Sequence, residues 1–412
     1  MTKTLKLFEG YGIEIETMVV DADTLDVRPI VDDLLKRDAD TDEYVGEVED
    51  GAIAWSNEFV AHVVELKTNG PAPDWTGLEA EFRRSSKLLN DHLQGMNALL
   101  LPTAMHPWMN PVTETKFWPH DYSPIYRAYH SMFDARRHGW ANLQSVHLNL
   151  PFDGEQEFAR LMAAIRLVLP LIPALAASSP VVEGRDTGIL DNRLHFYRTN
   201  SERVAAMTGE VIPEPLFDIQ GYRDGVFAAI DRELVARGAS EVLLGNEWTN
   251  ARGAIARFDR MAIEIRLIDA QECSAADLAV ACAVSNLVRG LVEERWCSTE
   301  AQRAVPSAPL VAQLIDTIQL GPGSKLSCPE LSTCFGVAGQ GHETVGGLVR
   351  AIVPSSFDGP TELQPALQVI LEDGVLSQRI LRALGPDFDR DRLRGVYREV
   401  ANCLTEGQSY QP

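Results

Sequence analysis

Basic residues are scarce in this 412-residue chain, which has 37 Lys and Arg against 59 Asp and Glu and a formal net charge of −22 at pH 7. Nucleic acids and anionic membranes bind basic surfaces that release their counterions. We therefore expect neither a nucleic acid nor a membrane as a partner. Hydrophobic residues make up 45% of the chain and charged residues 23%, a globular composition that can bury a large core.

Segments that would direct the chain to a membrane are also missing. The most apolar stretch, residues 167–177, contains Pro170 and Pro173 and is far shorter than the ~20 residues of a membrane span. The start of the chain, MTKTLKLFEGYG, lacks the apolar run of a signal peptide. All six cysteines follow residue 270 without a CxxC pair. We therefore expect reduced thiols and a cytoplasmic protein, without a disulfide framework or a zinc site.

Three segments alternate polar and apolar residues with the two-residue period of a strand: residues 12–17 (GIEIET), 145–150 (SVHLNL) and 261–267 (MAIEIRL). Their polar faces carry Glu14 and Glu16, then His147, then Glu264 and Arg266. One apolar face on each strand predicts an α+β fold, in which an antiparallel or mixed sheet has helices on one side and an open polar side.

A fourth segment, residues 57–67 (NEFVAHVVELK), adds Glu58 and Glu65. These residues are an odd number of positions apart, so an uninterrupted strand would point them to opposite faces. Either Glu58 precedes the strand or a bulge intervenes.

Helical periodicity is clearest outside these strands. It predicts helices over residues 75–96 and 274–296 and, after residue 300, over 309–319, 343–353, 362–384 and 389–404. The Pro- and Gly-rich breaks are too short for flexible linkers. We therefore expect a core over residues 1–300 and a helical extension over 301–412 that packs on it.

The polar faces allow two interpretations. Charged residues on one half-buried strand usually face solvent. Glutamates that cluster repel one another unless a cation lies between them, and hard oxygen ligands suit Mg²⁺.

An ordered set of motifs favours the second interpretation: GIEIE at residues 12–16, Glu58 with VEL at 64–66, HP at 106–107, SVH at 145–147, SSP at 178–180 with EGR at 183–185, and IEIR at 263–266 with Asp269. Over residues 8–290 the chain resembles the bacterial type 2 glutamate-cysteine ligase-like carboxylate-amine ligases. The resemblance implies a glutamine-synthetase-like fold, whose curved and mainly antiparallel sheet lines a funnel for ATP, metal and substrates.

The resemblance also implies roles for individual residues. The implied Mg²⁺ ligands are Glu14, Glu16, Glu58, Glu65 and Glu264. His147 would contact metal or nucleotide phosphate, and Arg266 would face the phosphate, which makes both candidate catalytic and ATP-binding residues. Arg185, in EGRDTGILDNR, is a further candidate for the nucleotide, because loop arginines can hold anions by bidentate contacts. The chain departs from many relatives at Asn149, where they have a second histidine.

The implied reaction is ATP-dependent amide formation through an acyl phosphate, with small-molecule carboxylate and amine substrates. Glutamate and cysteine are the first guess, which would make the product a γ-glutamyl amide. Two alternatives stay open: a Mg²⁺-dependent phosphotransferase or hydrolase on the same sheet, and a non-catalytic acidic metal-binding protein. The sequence also leaves open whether the protein forms a homo-oligomer.

Overall fold

The computed structural model describes residues 4–36 and 43–412. Within these ranges the strands are β1 Gly12–Asp21, β2 Glu47–Asp50, β3 Ile53–Asn57, β4 Val63–Thr68, β5 Ala98–Leu101, β6 Ser145–Pro151, β7 Val181–Val182, β8 Arg185–Asp186, β9 Ala254–Arg257 and β10 Ala262–Asp269. In the described ranges, all but β7 and β8 form one sheet in the order β2-β3-β4-β1-β6-β10-β9, with β5 paired to the second half of β1.

Neighbouring strands of this sheet are antiparallel wherever the structure describes them. The three segments with clear alternation are β1, β6 and β10, which lie side by side at its centre. Their apolar residues, such as Ile13, Leu148 and Ile263, are fully buried. The predicted α+β class and antiparallel sheet are therefore confirmed.

The fourth segment is two strands and not one. β3 ends at Asn57 and β4 begins at Val63, so Glu58 lies in the connecting loop. Glu58 therefore precedes the strand that carries Glu65, the first of the two arrangements allowed by their odd spacing.

A β-bulge interrupts the pairing of β10 with β6. Ile265 pairs with Leu148 and Ile268 with Val146, so two residues of β10 lie opposite His147. Glu264 and Asp269 are five positions apart, and an uninterrupted strand would turn them to opposite faces. The additional residue brings both to the polar face.

The α-helices are α1 Leu78–Gln94, α2 Pro111–Glu114, α3 Ser123–Phe133, α4 His138–Ala141, α5 Gly154–Val168, α6 Pro173–Ala176, α7 Asn192–Tyr197, α8 Ala205–Thr208, α9 Ile219–Tyr222, α10 Ala228–Ala236, α11 Ser274–Val292, α12 Thr299–Ala304, α13 Ser307–Leu320, α14 Pro329–Cys334, α15 Val345–Ser356, α16 Gln364–Asp373, α17 Leu376–Leu384 and α18 Arg390–Glu406. α1, α5 and α11 pack together and against the sheet. By length and composition α11 could cross a membrane, but 94% of its most apolar window is buried among the other elements.

After residue 300 the described elements are all helical, as expected, with one correction. The helix predicted over 362–384 is broken into α16 and α17, because Gly374 adopts a φ of 93°, which is left-handed backbone that glycine accepts at little steric cost. α17 and α18 bury Met18 and Val20, which share the polar face of β1 with Glu14 and Glu16. The extension thus covers one end of this face, while its division from the core at residue 300 stays a prediction.

A fully buried ion pair joins α17 to the segment after β10. Arg379 Nη1 lies 2.6 Å from Glu272 Oε1 and also donates to the carbonyl of Tyr410. Both charged side chains have no exposed surface. Removing either partner leaves a buried charge without compensation.

We predict that Arg379→Met lowers the free energy of unfolding by about 3–5 kcal/mol, measured by urea denaturation. The double variant Glu272→Gln/Arg379→Met should recover part of this loss, because it leaves no uncompensated charge. Arg394→Met, which breaks the exposed pair with Asp391, should cost less than about 1 kcal/mol. Equal losses at Arg379 and Arg394 would contradict the prediction.

Candidate active site

The polar side chains of four adjacent strands meet on one face of the sheet. The register pairs Glu14 with His147 across β1 and β6, and Glu16 with Glu65 across β1 and β4. Paired residues of antiparallel strands share a face. Local alternation and strand order together therefore bring the predicted residues into one cluster.

His147 lies at the centre of this cluster. Its Nδ1 is 3.0 Å from Glu14 Oε2, and its Nε2 is 2.9 Å from the Ser145 hydroxyl. Ser145 in turn donates both its backbone N–H and its hydroxyl to Glu16 Oε2, at 2.7 and 2.9 Å. A protonated imidazole satisfies this chain, since it donates at both nitrogens and leaves the serine proton for Glu16.

The pKa values of this pair shift in opposite directions. Burial by itself would raise the pKa of Glu14, but the hydrogen bond and positive charge of His147, with Arg260 and Arg266, lower it to about 2. Burial opposes protonation of His147, and the hydrogen bond to Glu14 together with Glu16 and Glu264 outweighs it, so the pKa of His147 is raised. Both groups favour their charged forms.

Glu58 and Glu65 are in the opposite electrostatic situation. Burial first, and then the charges of Glu16 and Glu65, hold the pKa of Glu58 well above its usual range. Burial and the charge of Glu14 also raise the pKa of Glu65, although Lys67 partly compensates. In this region burial and the neighbouring carboxylates both disfavour the ionised forms of Glu58 and Glu65.

The donor set fits a hard divalent cation. Glu16, Glu58 and Glu65 each offer an oxygen, and the three atoms lie within 4.8 Å of one another. Glu14, Glu65 and His147 form a second such group. Mg²⁺ prefers carboxylate oxygens and keeps several waters, so it would relieve the repulsion that raises the pKa of Glu58.

Glu264 is held by arginines. Arg257 Nη1 donates to Glu264 Oε2 at 3.0 Å, and Arg266 Nε lies 2.9 Å from Oε1 without the alignment of a hydrogen bond. Its Oε1 is also 3.7 Å from His147 Nδ1. A carboxylate has about four lone-pair directions, so Glu264 could still bind metal while it orients the two guanidinium groups.

The bulge in β10 has a second consequence at Asp269. This carboxylate lies 2.5 Å from Arg193 Nε and accepts from Ser178 N–H at 2.9 Å and the Ser179 hydroxyl at 3.2 Å. The SSP motif therefore positions Asp269, and Asp269 positions Arg193. Arg193 is 2% exposed, and its Nη2 has no hydrogen-bond partner.

The site opens into a cleft of about 430 Å³. Glu16, Glu58, His147, Arg193 and Arg266 line its sheet side. Aromatic residues from α3, from the end of α4 and from the turn Glu247–Thr249 line the opposite side. The polar face of the sheet is therefore one side of a cleft. It is less open to solvent than the alternating sequence pattern alone suggests.

Arg185 is the predicted residue that the structure does not bring to the cluster. It lies exposed in β8 and does not line the cleft, so its contact with nucleotide stays a prediction. Arg193, in the same loop sequence, reaches the cleft instead.

Arg257 and Arg260 also reach the cluster, although sequence reasoning did not assign them to it. Arg257 Nη1 lies 3.0 Å from Glu264 Oε2, and Arg260 Nη1 lies 3.6 Å from Glu14 Oε1. Their position at the hairpin between β9 and β10 is the signal that could have indicated this.

Asn149 stands where many relatives have histidine. It donates from Nδ2 to Glu14 Oε1 at 3.1 Å, and its Oδ1 is buried without a partner. The side chain thus holds the same carboxylate that His147 binds.

This geometry belongs to a chain with clear relatives. Residues 11–401 match glutamate-cysteine ligase family 2 (GCS2), so the chain belongs to this family. The resemblance is confirmed, and the match extends well beyond residue 290 into the helical extension.

Individual relatives match different shares of the chain. The chain is 31% identical over 382 residues to an uncharacterized protein of Archaeoglobus fulgidus, covering 93% of this chain and 95% of that protein. It is 30% identical over 312 residues to a Bradyrhizobium sp. protein provisionally named glutamate–cysteine ligase 2, covering 72% of this chain and 64% of that one. A similarly named protein of Rubrobacter xylanophilus is 28% identical over 45% of this chain and 47% of its own length. The matches to the last two proteins thus span about half to two thirds of their length.

A solved structure supports the fold. The glutamate–cysteine ligase of Francisella tularensis, crystallised with AMP, superposes with a TM-score of 0.57 at 13% identity over 98% of this chain and 90% of that one. The glutamine-synthetase-like fold is therefore confirmed.

We predict that Glu58→Gln stabilises the metal-free protein at slightly alkaline pH and reduces its stabilisation by Mg²⁺. A carboxyl group whose pKa is raised by folding contributes stability below its unfolded value near 4.5 and loses it as pH rises through the folded value. The wild-type metal-free protein should therefore lose stability as pH rises above about 4.5, and Mg²⁺ should restore it. Melting temperatures with and without Mg²⁺ across pH measure both effects.

Glu49→Gln on edge strand β2 is the matched control, because Glu49 is exposed. It should leave the Mg²⁺ shift unchanged. A full Mg²⁺ shift in Glu58→Gln would remove Glu58 from the metal site.

Proposed function

We propose that this protein is an ATP-dependent carboxylate-amine ligase that forms an amide bond through an acyl phosphate. One observation carries the proposal. A cluster of carboxylates that fits Mg²⁺ lies on one face of the sheet, and two arginines line the same cleft. Family membership supports a carboxylate-amine ligase. Glutamate and cysteine remain the first substrates to test.

The chemistry needs positioning and charge neutralisation more than a protein nucleophile. Glu14, Glu16, Glu58, Glu65 and Glu264 would hold Mg²⁺, which would neutralise phosphate charge when bound. Arg266 would contact the transferred phosphoryl group, and His147 would hold a phosphate oxygen or a metal ligand in place. Arg193 would bind the substrate carboxylate through its free Nη2.

The sequence of bonds follows from these roles. An oxygen of the substrate carboxylate attacks the γ-phosphorus of ATP, and ADP leaves. The amine then attacks the acyl carbon, and the C–O bond to phosphate breaks. The amine loses a proton, and the products are an amide, ADP and inorganic phosphate.

The direct test measures ADP release across a matrix of carboxylates and amines, beginning with glutamate and cysteine and using hydroxylamine as a general amine. We expect ADP release to require both substrates and to match amide or hydroxamate formed, as determined by mass spectrometry. ATP hydrolysis that ignores the amine would favour the phosphohydrolase alternative. Absence of both ADP release and stabilisation by ATP would favour the non-catalytic metal-binding alternative.

We predict that Glu264→Gln lowers the rate of amide formation by at least ~10²-fold, as expected when a group that orients transition-state charge is neutralised. Its side chain is 3% exposed and paired with Arg257 and Arg266. The amide keeps the shape of the side chain and one oxygen acceptor for these arginines, and circular dichroism is the folding control. Because Glu264 is one of the proposed metal ligands, the variant should also need more Mg²⁺ for half-maximal rate. Wild-type rates in a folded variant would remove Glu264 from the site.

We predict that Arg266→Lys loses most of its turnover while the protein stays folded. A guanidinium group can hold two phosphate oxygens at once, whereas lysine offers a point charge. The measurement is steady-state kinetics with circular dichroism as the folding control. Normal kcat and KM for ATP would show that Arg266 serves only to pair with Glu264.

A further inference from the structure

The side of the cleft that faces the sheet is a wall of aromatic rings. We call it the aromatic wall and define it as Phe59, Tyr126, Tyr129, Trp140 and Trp248. The ring centroid of Tyr129 lies 5.3 Å from that of Trp140 and 5.7 Å from that of Trp248, and Phe59 lies 5.2 Å from Tyr126. The rings thus support one another and form a continuous surface.

The proposed chemistry does not need this wall. Phosphoryl transfer and amide formation use metal ligands and cationic donors, all of which lie on the sheet side. A small polar substrate such as cysteine would leave most of the ring surface in contact with water. A concave apolar surface with a few polar groups is typical of sites for ligands that bury apolar area.

The charge distribution indicates which part of the ligand faces the sheet. Arg193 and Arg266 line the cleft together with Tyr197 and the rings. Arg193 Nη2 is buried without a partner. Cationic donors at the sheet side of an aromatic wall fit a molecule with a carboxylate at one end and a flat apolar group at the other.

The adenine ring of ATP is the main competitor for this surface. Arg257 and Arg260 lie outside the cleft, and Arg260 Nη1 is 3.6 Å from Glu14 Oε1 with its side chain 55% exposed. The Arg257 side chain is only 11% exposed, whereas Arg260 is an exposed cationic group next to the metal ligands, to which a triphosphate is drawn. Approach from that side leaves the aromatic wall to the other substrate.

We propose that the carboxylate substrate of this protein carries an aromatic ring or a similarly large flat apolar group, which the aromatic wall binds. This inference rests on the proposed ligase function. It replaces glutamate, the first guess, by an aryl-bearing carboxylic acid.

The test compares acids that differ only in the ring. With ATP, Mg²⁺ and hydroxylamine, 3-phenylpropanoate should have a KM about 10- to 100-fold lower than propanoate, which is the expected effect of burying one phenyl group. Trp248→Ala should reduce this ratio to about threefold or less, and Trp248→Phe should restore most of it. Calorimetric titration of 3-phenylpropanoate into the Mg²⁺-loaded protein gives a second measure that does not depend on turnover.

Each outcome separates this inference from the proposed function. Equal KM values for the two acids, with hydroxamate formed, would overturn the inference and keep the ligase. Binding of 3-phenylpropanoate that depends on Trp248, without ligation, would keep the aromatic site and overturn the ligase. If Trp248→Ala raises the KM for ATP more than the KM for 3-phenylpropanoate, the aromatic wall binds adenine and the inference is overturned. If the protein prefers phenylethylamine to ethylamine but shows no such preference among the acids, the wall binds the amine and the inference is likewise overturned.

Discussion

Electrostatic repulsion among carboxylates on adjacent strands is the constraint on which the rest of this site depends. Strand register places Glu16 opposite Glu65, with Glu14 two residues away and Glu58 in the neighbouring loop. His147, whose pKa is raised against the effect of burial mainly by its hydrogen bond to Glu14, offsets part of this charge, and Glu58 keeps a pKa well above its usual range. The fold holds these carboxylates close together even when no cation is bound. A cation that binds here would relieve their mutual repulsion and would therefore bind more tightly.

The surrounding structure keeps this arrangement in place. Apolar residues of the same strands anchor the sheet to α11 and α5, so the acidic face cannot rotate away from its neighbours. The bulge in β10 directs Asp269 to the polar face, where it holds Arg193. The C-terminal helices cover Met18 and Val20 on β1, which confines the polar surface to the end of the strand that carries the site.

Sequence reasoning was strongest where local periodicity decides the outcome. Alternation assigned Glu14, Glu16, Glu264 and Arg266 to polar faces, and the resemblance ordered the strands into one site. The partnership of Arg193 with Asp269 spans 76 positions and depends on a bulge, which no local pattern reveals. The aromatic wall was missed for the same reason, because its rings come from four separate segments. Gly374 shows the converse, since a single left-handed residue divides a helix that hydrophobic periodicity alone would continue.

The central claim is that the cluster activates a carboxylate by γ-phosphoryl transfer, and the most direct test follows one oxygen atom. The experiment uses a carboxylate that the protein accepts as a substrate, labelled with ¹⁸O in its carboxyl group. Phosphorylation attaches one labelled oxygen to phosphorus, and the attack of the amine then releases this oxygen as part of inorganic phosphate. We predict that mass spectrometry will find ¹⁸O in inorganic phosphate in equal amount to the amide formed, with ADP as the other product. Label in AMP would instead show an acyl-adenylate route, and unlabelled phosphate would show that ATP is hydrolysed without activation of the carboxylate.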